Sequence, residues 1–142
     1  MFTTQEMFCA PKFLQFEMFR AVGDDVQHRI ISKHEWMDCA VVDAQPFMLY
    51  LQYLTYRDLG ARQLQLQAFY KLKDTVTSTE KITQTYHCET VLNLFDHCLE
   101  LEGDILNALI LYVVSLRIQP RNNAANWHIA LTIYKQLSRR SQ

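Results

Sequence analysis

Apolar positions recur along this chain at helical rather than strand spacing, and their densest run lies between Glu89 and Pro120. In ETVLNLFDHCLELE, Val91, Leu92, Phe95 and Leu99 recur at that spacing before Gly103 interrupts the pattern. Glycine most readily takes the left-handed conformation in which helices stop, so the chain is expected to turn there. The next segment sets Ile105, Ala108, Leu109, Tyr112 and Leu116 on one stripe, with Leu106, Ile110, Leu111, Val113 and Val114 around the rest. A helix apolar on nearly every side calls for partners on two sides. Pro120 ends it, because proline cannot extend the hydrogen-bond ladder and drives Gln119 out of the helical region.

The same plan is read about Gly60. Asp43 precedes AQPFMLYLQYLTYRD, and Pro46 fits only in a first turn, which sets the helix start near Asp43 or Ala44. Phe47, Leu49, Tyr50, Leu51, Tyr53, Leu54 and Tyr56 make this helix apolar on more than one face. Beyond Gly60, Leu64, Ala68, Phe69 and Leu72 take one side, and Gln63, Gln67 and Lys71 the other. Thr77 and Glu80 have capping-box spacing, so the helix leading to Gly103 is expected from Ser78. Upstream, Pro11 opens a short amphipathic helix carrying Phe13, Phe16, Met18 and Phe19. Gly23-Asp24-Asp25 breaks it, and Asp25 caps a second helix with Val26, Ile30, Ile31 and Met37 as core candidates. After Pro120, Asn122 or Asn123 caps a last helix carrying Trp127, Ala130, Leu131 and Tyr134, with His128, Thr132 and Lys135 expected to face water.

These residues resemble a tetratricopeptide repeat. Small Ala108 follows Gly103 by five positions, Tyr112 comes four later, and Pro120 closes the unit. Trp127 and Tyr134, seven apart, match the aromatic pair that opens a further unit. The copy about Gly60 is more divergent, with Gln65 where the small residue belongs and no closing proline. Asp96 stands where the first helix normally carries Gly or Ala, and is expected to rotate to a wet edge. The resemblance implies an all-α fold, a short right-handed tetratricopeptide-like solenoid of antiparallel helix pairs with a C-terminal capping helix. Its single domain would comprise N-terminal helices (1–42), a divergent repeat (43–75), a well-formed repeat (78–120) and the cap (123–138). It also implies ligand binding on the concave face lined by first helices. There Tyr50 and Arg57 would adjoin Asn93, His97 and Glu100, then His128, with Phe47, Leu54, Thr90 and Lys135 alongside. The lysine and asparagine set by which chaperone-binding members grip a carboxylate is absent apart from Asn93, which disfavours a chaperone-tail adaptor.

A narrower similarity covers AVVDAQPFMLYLQYLTYRDLG and YHCETVLNLFDHCLELEGDILNAL. Together they resemble the C-terminal helical region of some invertebrate members of the male-abnormal family, which are cyclic-GMP-AMP-synthase-like nucleotidyltransferases. Metal-dependent nucleotidyl transfer needs closely spaced acidic side chains on a strand, after a Gly-Ser turn. Gly23-Asp24-Asp25, the acidic cluster considered for that role, is read between two helices, so no catalytic residue is carried over.

Composition narrows the function. The 142 residues suit one domain, and a net charge of −1 leaves no basic stripe for nucleic acid. The apolar stretch from Ile105 to Ile118 is too short to cross a bilayer, so no membrane partner is expected. Cys9, Cys39, Cys88 and Cys98 make no close pair, and the opening residues lack a charged leader before a long apolar run, so reduced cytoplasmic thiols are expected. His87-Cys88 and His97-Cys98 suggest zinc, yet ten residues of helix set them roughly 15 Å apart, beyond one ion's reach. No cysteine has the electropositive turn or oriented base that activates a thiol. No metal, cofactor or catalysis is therefore expected. The chain reads as a non-enzymatic, cytoplasmic module binding a protein or peptide through its concave face. The alternative is the C-terminal helical part of a nucleotidyltransferase-like innate-immune sensor, docked on a neighbouring domain of a longer protein. Exposed apolar surface among Phe13, Phe16 and Phe19 would favour that docking.

Overall fold

Two glycines with positive φ, Gly60 at 68° and Gly103 at 86°, fold the chain into helical hairpins. In each turn the N–H after the glycine reaches back to a carbonyl five positions earlier: Ala61 to Tyr56 at 2.8 Å and Asp104 to Leu99 at 2.9 Å. This bond satisfies a terminal helix carbonyl and requires the left-handed residue between. The computed structural model describes residues 8–20 and 39–140. Its helices are α1 (Lys12–Met18), α2 (Ala44–Asp58), α3 (Arg62–Thr77), α4 (Thr79–Thr83), α5 (Cys88–Glu102), α6 (Ile105–Ile118) and α7 (Ala125–Arg140), with no β-strand among the described residues. The helix expected from Val26 to Met37 lies outside them.

The protein is all-α and built of packed pairs. Helix α2 lies on α3, α5 on α6, α6 on α7, and both members of the first pair reach α5. Tyr50, Tyr53 and Leu72 from the first hairpin meet Leu94, Phe95 and Cys98 of α5, and Ala108 and Tyr112 of α6, in one core that also takes in Phe13, Leu14 and Met18 of α1. Ala108 has no exposed surface, as expected where a side chain of one carbon sits at a close helix approach.

The helix expected from Ser78 is broken. Ser78, rather than Thr77, caps α4 by accepting the Lys81 N–H at 3.4 Å, and α5 starts only at Cys88. The break is held from a distance. Asp43 makes no capping bond to its own helix, and its carboxylate accepts the N–H groups of Tyr86 at 3.2 Å and His87 at 3.1 Å instead. One side chain thereby ties the entry of α2 to the entry of α5.

A second tie joins the hairpins at their turns. Glu102, ending α5, accepts two bonds from Arg62 (2.8 and 2.6 Å), one from Gln65 (2.8 Å) and one from the Tyr53 hydroxyl (2.8 Å). Gln65, which replaces the small residue of the repeat pattern, is buried here and has a specific partner. These bonds, the Arg62 guanidinium first, hold the Glu102 carboxyl below the usual range. Glu102→Ala is expected to cost about 2 kcal/mol by leaving Gln65 and Tyr53 unsatisfied. A denaturant midpoint equal to that of the parent would show that the clasp contributes nothing.

Candidate functional site

Every third or fourth position along α2, α5 and α7 faces the same side, which gathers Tyr50 and Leu54, His97 and Glu100, and His128, Leu131 and Lys135 around a hollow of about 320 Å³. Of the residues expected on a concave face, Tyr50, Leu54, His97, Glu100, His128 and Lys135 line this hollow. Arg57 is not among the lining residues; it is exposed, 3.9 Å from Asp58. Asn93 and Thr90 are fully buried. Alanine at Tyr50 and Asn93 would therefore remove core, not surface.

The hollow is partly filled by the chain itself. Pro11, Lys12, Phe13 and Phe16 form its remaining wall. The Phe13 ring lies between two imidazoles, 4.4 Å from His97 with planes 14° apart and 3.9 Å from His128 with planes 7° apart. His97 bonds through Nδ1 to the Tyr50 hydroxyl at 2.8 Å, and His128 also stacks on Tyr112 at 5.4 Å. Burial, with Lys135 and Arg57 nearby, lowers the His97 pKa to about 4. Burial, with His97 and Lys135, lowers that of His128 to about 3. Both rings are thus neutral at pH 7 and act as aromatic plates. At the far end of α1, the Trp127 indole donates to the Phe19 carbonyl at 3.0 Å.

Beneath α1 runs a buried polar chain. Asn123 Oδ1 accepts the Ala125 N–H at 2.9 Å, opening α7, while its Nδ2 donates to the Ser115 hydroxyl and the Gln119 carbonyl, each at 3.0 Å. Ser115 donates onward to the Glu89 carbonyl at 3.2 Å. Asn93 Nδ2 donates to Asn123 Oδ1 at 3.1 Å and to Glu17 Oε1 at 2.8 Å. Glu17 is therefore buried beside Asn93, with Arg20 at 3.9 Å from its other oxygen. Desolvation outweighs both partners and lifts the Glu17 pKa to about 7. Glu17 and Phe13, four positions apart on one helix face, were not singled out together by the sequence pattern. The aromatic spacing of Phe13, Phe16 and Phe19 is visible in the sequence, whereas the burial of Glu17 carries no sequence signal.

Two expectations are corrected. Asp96 does not turn to a wet edge: it is fully buried, and neither carboxylate oxygen has a hydrogen-bond partner among the described residues. Burial, with Glu100 adding, raises its pKa to about 9. On α7, His128 and Thr132 point inward, and it is Trp127, Ile133 and Tyr134 that face water. The inward facing is held at His128, whose ring stacks on Phe13 and on Tyr112.

The thiols offer little chemistry. Burial pushes the Cys98 thiol well up, with Glu102 and Asp96 adding, and burial raises Cys88 too, so neither is disposed to form a thiolate. No disulfide joins the four cysteines. Among the described residues, no three His, Cys, Asp or Glu side chains are placed to share a metal ion, and no helix is long and apolar enough to cross a membrane. What the arrangement does is hold an amphipathic helix, through two aromatic plates and a buried amide. No family model, curated protein or solved structure matches the chain.

Proposed function

We propose that this chain is a non-enzymatic protein-binding module, a short tetratricopeptide-like stack whose concave face takes an amphipathic helix from a partner. The observation that carries the reading is α1 itself, a helix seated against Tyr50, His97 and His128 with its aromatic side chain inserted between the two rings. Helix-in-groove recognition uses this combination of a preformed apolar wall and spaced anchors. The fully buried Ala108 and the paired glycine turns support the repeat architecture.

A photocrosslinking residue at Leu54, on the rim of the hollow, is expected to give adducts on helical segments of a protein partner. Leu131→Lys, across the hollow, should abolish those adducts without moving the melting temperature. Adducts that persist in that variant would show that the concave face is not the binding surface.

A second reading has its own observation. Leu106, Ile110 and Val113 of α6, with Trp127, Ile133 and Tyr134 of α7, are exposed, whereas a capping helix normally turns a polar face outward. This favours docking onto a neighbouring domain, such as the catalytic part of a nucleotidyltransferase-like sensor; of the three phenylalanines expected to bear on that docking, Phe13 is buried and Phe16 half-buried, while Phe19 is exposed. Crosslinks formed from Ile110 and Tyr134, rather than from Leu54, would select it.

A further inference from the structure

The amide chain beneath α1 is incompletely matched, and the mismatch specifies a better occupant. The orientation of Asn123 is dictated by backbone, since only Oδ1 can accept the Ala125 N–H and only Nδ2 can donate to the Gln119 carbonyl. Asn93 must then turn Nδ2 toward Asn123 Oδ1, and the same Nδ2 supplies its second hydrogen to Glu17 Oε1. Asn93 Oδ1 is left buried with no donor among the described residues, and so is Glu17 Oε2 with respect to any hydrogen bond. At pH 8 the ionised Glu17 carboxylate has no hydrogen to give to Asn93 Oδ1. A carboxamide at the same place can accept through its oxygen from Asn93 Nδ2 and donate through its nitrogen to Asn93 Oδ1.

We propose that this face selects a partner helix bearing an aromatic residue and, four positions later, a glutamine, and that α1, with Phe13 and Glu17 at those positions, is the resident and weaker occupant that the partner displaces. This rests on the reading of the concave face as a protein-binding surface. The aromatic residue enters the slot between His97 and His128, and the glutamine closes the amide pair with Asn93. Glutamate at the second position keeps α1 in place at a cost that makes it exchangeable.

The test uses two labelled peptides spanning residues 8–20, both with Arg20→Ala so that no guanidinium is left buried without its Glu17 counter-charge, one keeping Glu17 and one with Glu17→Gln, titrated at pH 8 into the full chain carrying Phe13→Ala. The glutamine peptide is expected to bind about tenfold more tightly, the worth of one neutral buried hydrogen bond plus an avoided buried charge. Equal affinities would overturn the glutamine preference while leaving the binding face standing, whereas binding of neither peptide would overturn the face as well. Should Phe13→Ala not fold, hydrogen exchange of the α1 amides in the chain that keeps Phe13 decides the matter. Exchange about tenfold slower in the double variant Glu17→Gln, Arg20→Ala than in Arg20→Ala alone at pH 8 supports the proposal, and identical exchange overturns it.

Discussion

Asp96→Asn is expected to stabilise the chain by about 4 kcal/mol at pH 7, a gain that shrinks toward zero near pH 4. Most substitutions of fully buried residues destabilise, so the direction is itself diagnostic. The folded pKa of Asp96 is raised to about 9, chiefly by desolvation. The folded state therefore holds a proton that the unfolded chain, with an ordinary carboxyl, releases above pH 4. A group raised in this way gives its full stability below the unfolded pKa and loses it as pH climbs through the folded one. Glu17, raised to about 7, behaves alike over a narrower window. The two imidazoles act in the opposite sense. His97 and His128 are lowered to about 4 and 3, so their contribution is complete above the unfolded value and is lost as pH falls through the folded values. Between about pH 4.5 and 6.5 the two pairs oppose each other, which places a plateau of stability there. Above pH 7, Asp96 alone among these four continues to act, and stability should fall by about 1.4 kcal/mol per pH unit until pH 9. Denaturant titrations of the parent and Asp96→Asn at pH 4, 7 and 8.5 measure both effects. A parent profile flat from pH 7 to 8.5, or an Asp96→Asn midpoint no higher than the parent's at pH 7, would mean that Asp96 is solvated.

Phe13→Ala should detach α1 from the stack at a cost of about 3 kcal/mol, the usual loss for emptying a buried aromatic site. The ring contacts with His97 and His128 vanish together. The expected readout is local. Amides of α1 should exchange at the rate of an unprotected segment, while those of α3 and α6 keep most of their protection. Unchanged exchange in α1 would show that the aromatic insertion contributes nothing to its seating.

These two sites also mark where local pattern was informative and where it was not. The turns at Gly60 and Gly103 were legible because the need for a positive φ is written in a single residue. Helix α6 was legible in its bounds, Gly103 before it and Pro120 after. The interruption between α4 and α5 was not, because its cause is Asp43, distant in sequence and read as a cap for its own helix. The facing of α7 was misread for a related reason. His128 and Thr132 are polar by type, and only the arrival of Phe13 from the other end of the chain makes their side the inner one. The burial of Asp96 is not legible because proton uptake, which lets a carboxyl enter the core neutral, leaves no mark in the sequence. The hollow's rim on α2, α5 and α7 could be read from helical spacing, but its occupant could not.

The polar chain through Asn93 and Asn123 has a consequence for the order in which the molecule assembles. The two hairpins close over short turns and can form early, since they need little loop closure. Helix α1 and the start of α7 lean on the same pair of amides, and their bonds span 76 residues from Glu17 to Asn93 and 108 from Phe19 to Trp127. Helix α1 therefore closes long loops, whereas Asn123 opens α7 through local bonds to Ser115, Gln119 and Ala125, so α1 is expected to dock last, onto hairpins and an α7 already in place.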